Sequence, residues 1–191
     1  FTQNKDGSEF TLFDKNNNNK MSFKTNMIGK HNILNTTAAI TVSLDEGISY
    51  EGIKQALEKF IVIERRFQLI SENVFEKDII LIDDYGHHPE ELRVSINTAK
   101  EVWPDREVLV VFQPHRYTRT KALFEDFVSI LSDCKNLILL EIYPASEEPI
   151  KGYESEDLIN QIKIKNPEAK LVNGIEEAYQ EMQKFNRDNF I

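Results

Sequence analysis

From residue 78 to residue 185 the sequence alternates four times between a short apolar run and a longer amphipathic stretch. Short continuous apolar runs are typical of strands buried on both faces of a parallel sheet. Apolar residues that recur every three or four positions are typical of helices packed on such a sheet. The predicted strands are "DIILID", "EVLVVF", "NLILLEIY" and "AKLV". Because strands and helices alternate, the pattern predicts an α/β fold with right-handed connections: a Rossmann-like open, mainly parallel sheet with helices on both faces.

The first sixty residues follow a different pattern. "EFTLF" and "KMSFKTNMI" flank an asparagine-rich turn and predict a hairpin, and two amphipathic helices follow. The second helix is predicted to end near "FIVIERRF", where the regular alternation begins. We therefore expect a boundary there, with one domain over residues 1–62 and another over residues 63–191.

Charge and composition exclude several classes of protein. A formal net charge of −9 argues against a general binder of nucleic acid or of an anionic membrane surface. No apolar run approaches the ~20 residues needed to span a bilayer. The single cysteine, Cys134, indicates a reducing compartment, and we expect a cytoplasmic protein. Because the chain begins with Phe1 and not with methionine, we expect it to be a piece of a longer protein.

Polar loops follow three of the predicted strands. Ligands of open α/β sheets bind beyond the carboxyl ends of the strands, so these loops should lie on one rim and form a site. The loops are "DDYGHHPEE", "QPHRYTRTKA" and "PASEEPIKG".

The second of these loops is locally basic in an acidic chain. It places His115, Arg116 and Arg119 just before a helix that we expect to start near Thr120. Guanidinium groups offer forked donors to carboxylate or phosphate, and a helix start adds amide donors. This pattern favours an anion site over a solvated basic loop.

The first loop leaves several interpretations open. Its aspartates and histidines could bind a metal, contact a nucleotide or substrate, or cap the next helix, and His88 stands directly before Pro89. Asp84 at a strand end suits the hydroxyls of a ribose. Arg66, near the expected boundary, is either part of a surface pair with Arg65 or an arginine that a hinge brings to a phosphate.

Taken together, these motifs resemble those of the Mur ligases, ATP-dependent amide-forming enzymes of peptidoglycan synthesis. The resemblance runs from about residue 7 to about residue 175 and is greatest to the branch that joins L-alanine to UDP-N-acetylmuramate. The motifs are "GKHNILNTTAAI", "ERRFQ", "DDYGHHPEEL", "VVFQPHRYTRT" and "YPASEEPIKG". The resemblance implies that residues 1–62 end a central ATPase domain and that residues 63–191 form an amino-acid-receiving domain, truncated at its end.

The resemblance also implies a reaction. ATP phosphorylates the muramoyl carboxylate of UDP-N-acetylmuramate, and the amine of L-alanine attacks the resulting acyl phosphate. By the resemblance, the phosphate loop and the main Mg²⁺ ligands lie upstream, in domains missing from this chain. The spacing G-x-x-x-x-G-K-[ST] of such a loop does not occur in it. The chain alone is therefore expected to be inactive.

Site residues carry over by the same resemblance, with none predicted to bind a metal. Those implied to contact ATP are His31, Asn32, Arg66, Asp84 and Tyr85. Those implied to act at the amino-acid site are His88, His115, Arg116 and Arg119. Two alternatives stay open: a related ligase that adds a tripeptide, and a stand-alone module that binds a nucleotide or amino acid without chemistry.

Overall fold

The structure, a computed structural model, describes residues 1–15, 18–60, 63–185 and 189–191. The chain forms two compact units, Phe1–Gln68 and Leu69–Ile191. The boundary predicted between residues 62 and 63 involves residues 61 and 62, which lie outside the described ranges, as do Asn16 and Asn17 of the predicted turn.

The first unit is a small antiparallel sheet with two helices. Its strands are β1 (Thr2–Asn4), β2 (Gly7–Asp14) and β3 (Asn19–Thr25), in that order, and its helices are α1 (Lys30–Asp45) and α2 (Tyr50–Lys59). The predicted hairpin is β2–β3, and β1 adds a third strand that the sequence pattern did not indicate.

A compact apolar core explains why these elements form. Phe10 and Phe23 are cross-strand partners whose ring centroids lie 5.8 Å apart. Ile33 and Ile40 project from α1 and Ile53 from α2 into the same cluster. Aromatic cross-strand pairs stabilise a sheet, and the helices exclude water from this face of it.

The second unit contains the predicted alternation. Its elements are β4 (Gln68–Ser71, which begins at the last residue of the first unit), β5 (Leu81–Asp83), α3 (Pro89–Val102), β6 (Leu109–Phe112), α4 (Tyr117–Ala122), α5 (Phe124–Ser132), β7 (Asn136–Leu140), α6 (Ser155–Lys165), β8 (Lys170–Val172) and α7 (Ile175–Lys184). Strands β6, β7 and β8 are parallel neighbours in that order. The predicted α/β fold with a parallel sheet is confirmed.

Side chains on both faces of strand β7 are buried in the apolar core. Leu137 and Leu139 pack in one cluster with residues of α3, α5 and α6. Ile138 and Leu140 pack in a second cluster that includes Ala178 of α7. Successive side chains of a strand point to opposite faces, so an unbroken apolar run requires helices on both sides, as predicted.

The strand predicted over residues 78–83 is shorter in the structure. Only Leu81–Asp83 forms β5, which pairs with β4 in a separate two-stranded sheet. The preceding residues pair with the end of the chain: the Ile80 amide donates to the Phe190 carbonyl at 3.1 Å, and the Asn189 amide donates to the Asp78 carbonyl at 3.1 Å. This pairing between distant segments has no local signal.

No helix in the described part of the chain is long and apolar enough to cross a membrane.

Candidate ligand site at the carboxyl edge of the second unit

Backbone hydrogen bonds join the loops that follow β6 and β7. The Tyr143 amide donates to the Pro114 carbonyl at 2.8 Å, and the Arg116 amide donates to the Tyr143 carbonyl at 2.9 Å. The His115 ring lies parallel to the Tyr143 ring, with centroids 5.4 Å apart and planes 13° apart. The loops therefore meet at the edge where the ends of parallel strands were expected to place them.

Arg116 has an unusual backbone conformation. Its φ of 76° and ψ of 133° lie in a region that favours glycine, although an arginine stands there. Its carbonyl accepts hydrogen bonds from the Thr120 amide at 3.1 Å and from the Thr120 hydroxyl at 3.0 Å. Bonds on both sides of Arg116 thus maintain a conformation that its side chain disfavours.

Helix α4 starts at Tyr117, three residues earlier than the predicted start near Thr120. The reason is Glu147, which accepts hydrogen bonds from the Thr118 amide at 2.9 Å and from the Thr118 hydroxyl at 2.8 Å. These hydrogen bonds lower the pKa of Glu147, and the bond from the Thr118 amide has the largest effect. The Arg116 guanidinium lies 3.9 Å from the same carboxylate. Glu147 was not among the site residues predicted from the sequence, where its only signal was its place in the "PASEEP" loop.

Arg119 contacts His115 one helical turn away. Its Nη1 lies 3.4 Å from His115 Nδ1 and donates to the His115 carbonyl at 3.3 Å. Because a guanidinium has no acceptor, this contact favours a neutral ring whose Nδ1 accepts. Arg119 and His115, two of the three residues predicted as an anion site, are therefore in contact, and Arg116 lies next to His115 in the same loop.

Burial lowers the pKa of His115, and the charges of Arg119, Arg116 and His87 lower it further, against a smaller opposing effect of Glu147. His87 lies in the loop after β5, so a charge on that loop also acts on the His115 ring. The family resemblance implied His88, and not His87, at the amino-acid site. Neighbouring residues of an extended chain point to opposite sides, and the sequence alone does not decide which of the two histidines faces a site.

We expect the His115 ring to titrate below its ordinary pKa of 6.5. The unfolded chain then binds more protons than the folded one between the lowered pKa and 6.5, so the contribution of this group to stability is lost as pH falls below 6.5. An NMR titration of the ring protons measures the midpoint, and Arg119→Ala should move it toward 6.5. A midpoint at or above 6.5 would contradict the arrangement.

The loop after β5 is closed by its own side chains. Asp84 Oδ1 accepts a hydrogen bond from the Gly86 amide at 2.6 Å. His87 Nδ1 lies 3.0 Å from the Tyr85 carbonyl, and the Tyr85 and His87 rings meet edge to face at 5.3 Å. Tyr85 is nevertheless 48% exposed, so its ring can cover a ligand.

His88 caps helix α3. Its Nδ1 accepts a hydrogen bond from the Glu90 amide at 3.2 Å, and Glu91 accepts from the His88 amide at 3.1 Å. Pro89 follows at the first helical position. The capping interpretation of His88 therefore describes its contacts, and its role at an amino-acid site stays a prediction.

Three of the predicted ATP contacts lie in the first unit. Asn32 is buried, and its side-chain amide donates to the Ile28 carbonyl at 2.8 Å. His31 lies in the first turn of α1 and is half-buried, whereas Arg66 is exposed. Their predicted contact with a nucleotide stays a prediction.

Gly29, which precedes α1, is required for this geometry. It has a φ of 103°, and a Cβ there would lie 2.6 Å from the His31 ring. We expect Gly29→Ala to lower the free energy of unfolding by about 2 kcal/mol, through backbone strain and displacement of the ring. Gly47, with a φ of 81° and no atom within 4 Å of an added Cβ, is the matched control. Chemical denaturation should give a smaller loss for Gly47→Ala, and equal losses would mean that the ring contact contributes nothing.

No group of three or more His, Cys, Asp or Glu side chains that could hold a metal ion occurs among the described residues.

The comparisons with known proteins agree with this fold. The family model described as Mur ligase, glutamate ligase domain, matches residues 65–191. UDP-N-acetylmuramate–alanine ligase (MurC) from Thermotoga maritima is 25% identical, with a TM-score of 0.74 over 98% of this chain and 39% of its own. A murein peptide ligase from Psychrobacter arcticus is 22% identical, with a TM-score of 0.60 over 97% of this chain and 38% of its own. MurF from Acinetobacter baumannii is 17% identical, with a TM-score of 0.67 over 98% of this chain and 39% of its own.

The parallel sheet with helices on both faces defines the second unit as an α/β domain, and the basic residues at its carboxyl edge form a candidate anion site. Because the family model covers most of the chain, the protein belongs to the Mur ligase family. The chain spans about two fifths of the length of these solved relatives.

Proposed function

We propose that this chain is part of an ATP-dependent ligase that joins L-alanine to UDP-N-acetylmuramate, and that its second unit receives the amino acid. The observation that carries the proposal is the cluster of His115, Arg116 and Arg119 at the carboxyl edge of the sheet, in which Arg119 Nη1 lies 3.4 Å from His115 Nδ1. The likeness to an alanine-adding ligase at 25% identity supports the choice of substrate.

The cluster suits the carboxylate of an amino acid. Arg116 and Arg119 supply the positive charge and the forked donors. Because the pKa of His115 is lowered, its ring is neutral at pH 7 and adds no third charge. Holding the carboxylate orients the amine, whose nitrogen attacks the acyl carbon of the acyl phosphate. The bond from that carbon to the phosphate oxygen breaks, phosphate leaves, and the nitrogen releases a proton as the amide forms.

We place the nucleotide contacts on the residues that the family motifs indicate. In the second unit these are Asp84, whose carboxylate orders its own loop, and the exposed ring of Tyr85. In the first unit they are His31, Asn32 and Arg66. The described residues offer no cluster that fits Mg²⁺, so no step of this proposal passes through the metal.

Calorimetric titration of the chain with L-alanine tests the amino-acid site. We expect saturable binding that weakens at least about 10-fold in Arg119→Ala, since a hydrogen bond to a charged group contributes roughly 1.5–3 kcal/mol. Arg93→Ala is the matched control, because Arg93 is a half-exposed arginine paired with Glu90 on α3. It should bind L-alanine as the parent chain does.

Three outcomes would overturn the assignment. Equal weakening by Arg93→Ala would show that net charge, and not the cluster, governs binding. Binding of a tripeptide in preference to L-alanine would favour the related tripeptide ligase, and binding of neither would remove the support for an amino-acid site in this unit.

A further inference from the structure

Glu147 has contacts that no motif assigned to it. It accepts two hydrogen bonds from Thr118, at the amide and at the hydroxyl, and lies 3.9 Å from the Arg116 guanidinium. Thr118 is 29 residues away in sequence, in the loop-to-helix junction that carries both site arginines. The carboxylate therefore joins the loop after β7 to the loop after β6 at the ligand site.

The turn that presents Glu147 is itself strained. The Glu147 amide donates to the Pro144 carbonyl at 3.0 Å and closes a four-residue turn. Both central residues have positive φ, 49° at Ala145 and 68° at Ser146. Turns of this kind favour glycine and asparagine, and neither residue occurs at these two positions. A disfavoured turn thus holds the carboxylate against Thr118.

The backbone close to Thr118, the residue that binds Glu147, is strained as well. Arg116, two positions before Thr118, has the glycine-like backbone described above. Its amide is bonded to Tyr143, the residue that precedes the strained turn. Disfavoured conformations that face each other at a ligand site are maintained only when the surrounding bonds overdetermine them. Glu147 contributes two of those bonds.

We propose that Glu147 is a positioning residue: it holds the start of α4 and the backbone of Arg116 so that the guanidinium is presented to the ligand carboxylate. The inference rests on the proposed function for the identity of that ligand. The contact with Arg116 at 3.9 Å is a weak exposed ion pair, so the bonds to Thr118 carry the effect.

Amide hydrogen exchange, followed by NMR on this chain, tests the contact without any ligand. In Glu147→Ala the Thr118 amide should exchange at least about 10-fold faster, because its hydrogen bond to a charged acceptor is lost. Glu147→Gln keeps an oxygen that can accept one bond. In this variant the Thr118 amide should therefore exchange at a rate between those of the parent chain and of Glu147→Ala. Glu148→Ala, at the exposed neighbouring position, is the matched control and should leave the Thr118 amide unchanged.

The pH dependence separates positioning from a general effect on folding. Because the Thr118 bonds lower the pKa of Glu147, protection of the Thr118 amide should persist below pH 4.5 and fall only as the carboxylate protonates. In Glu147→Gln, which has no carboxylate at this position, protection of the Thr118 amide should not fall in this pH range. Unchanged exchange in Glu147→Ala, or the same pH step in Glu147→Gln, would overturn the inference.

A ligand measurement distinguishes this inference from the proposed function. Where the parent chain binds L-alanine, Glu147→Ala should weaken binding at least about 10-fold, as expected for a misplaced charged donor. Equal affinity in that variant would overturn the positioning role. Where the parent chain binds no L-alanine, the proposed substrate fails, and the role of Glu147 is decided by the exchange data alone.

Discussion

Replacing Leu158 by alanine is expected to lower the free energy of unfolding of the second unit by about 3–5 kcal/mol. Leu158 of α6 is fully buried and belongs to the largest core cluster, which also contains Phe127 and Leu131 of α5. Removing its side chain loses apolar burial and leaves a cavity between the two helices. Most domains of this size are stable by only about 5–15 kcal/mol, so this single change removes a large share.

Ile164→Ala is the control on the same helix, because Ile164 is 77% exposed. It should change stability by no more than about 0.5 kcal/mol. Urea denaturation followed by fluorescence measures both variants, and Trp103, the single tryptophan, reports on the second unit. Similar losses for the two variants would mean that α6 is not packed as the structure has it.

The parallel sheet could be predicted because its signal is local. Strands β6 and β7 are unbroken apolar runs, and the helices that cover them repeat apolar residues at helical spacing. Each strand and helix therefore indicates its own type without reference to the others. The two helices of the first unit follow from the same kind of pattern.

The features that the sequence did not reveal depend on distant partners. The segment before β5 pairs with Asn189 and Phe190, more than a hundred positions later. The apolar pattern runs through Leu123, yet that residue has a φ of −121° and separates α4 from α5. Neither pairing partners nor a break between two helices can be read from hydrophobic periodicity alone.

The residues of the candidate site also divide into those with a local signal in the sequence and those whose partners lie elsewhere in the chain. Arg116 and Arg119 were predicted because two arginines in an acidic chain stand out, and the contact with His115 brings them together. Glu147 was missed because its partner Thr118 lies on a different loop. The backbone of Arg116 was also unforeseen, since positive φ is usually inferred from glycine and none stands there. Their catalytic and binding roles stay proposals.

Arg116→Gly is expected to stabilise the fold while it removes L-alanine binding. The observed φ and ψ are disfavoured for any residue with a Cβ, by roughly 1–3 kcal/mol, and glycine relieves that strain. The greater freedom of glycine in the unfolded chain offsets about 0.5–1 kcal/mol of the gain. We therefore expect a net stabilisation of about 1 kcal/mol by chemical denaturation. Loss of the guanidinium should weaken L-alanine binding at least about 10-fold by calorimetry.

Arg116→Ala separates the two effects because it removes the same guanidinium but keeps the Cβ. It should lose L-alanine binding to the same extent without becoming more stable, so the difference in stability between the two variants measures backbone strain alone. Arg119→Gly, within α4, should instead destabilise by about 1 kcal/mol, as glycine does in helices. If glycine and alanine at position 116 give equal stability, Arg116 is not strained. If both still bind L-alanine as the parent chain does, the arginine is not kept there for that ligand. The combination of higher stability with lost binding is the result that only a strained residue retained for its side chain can produce.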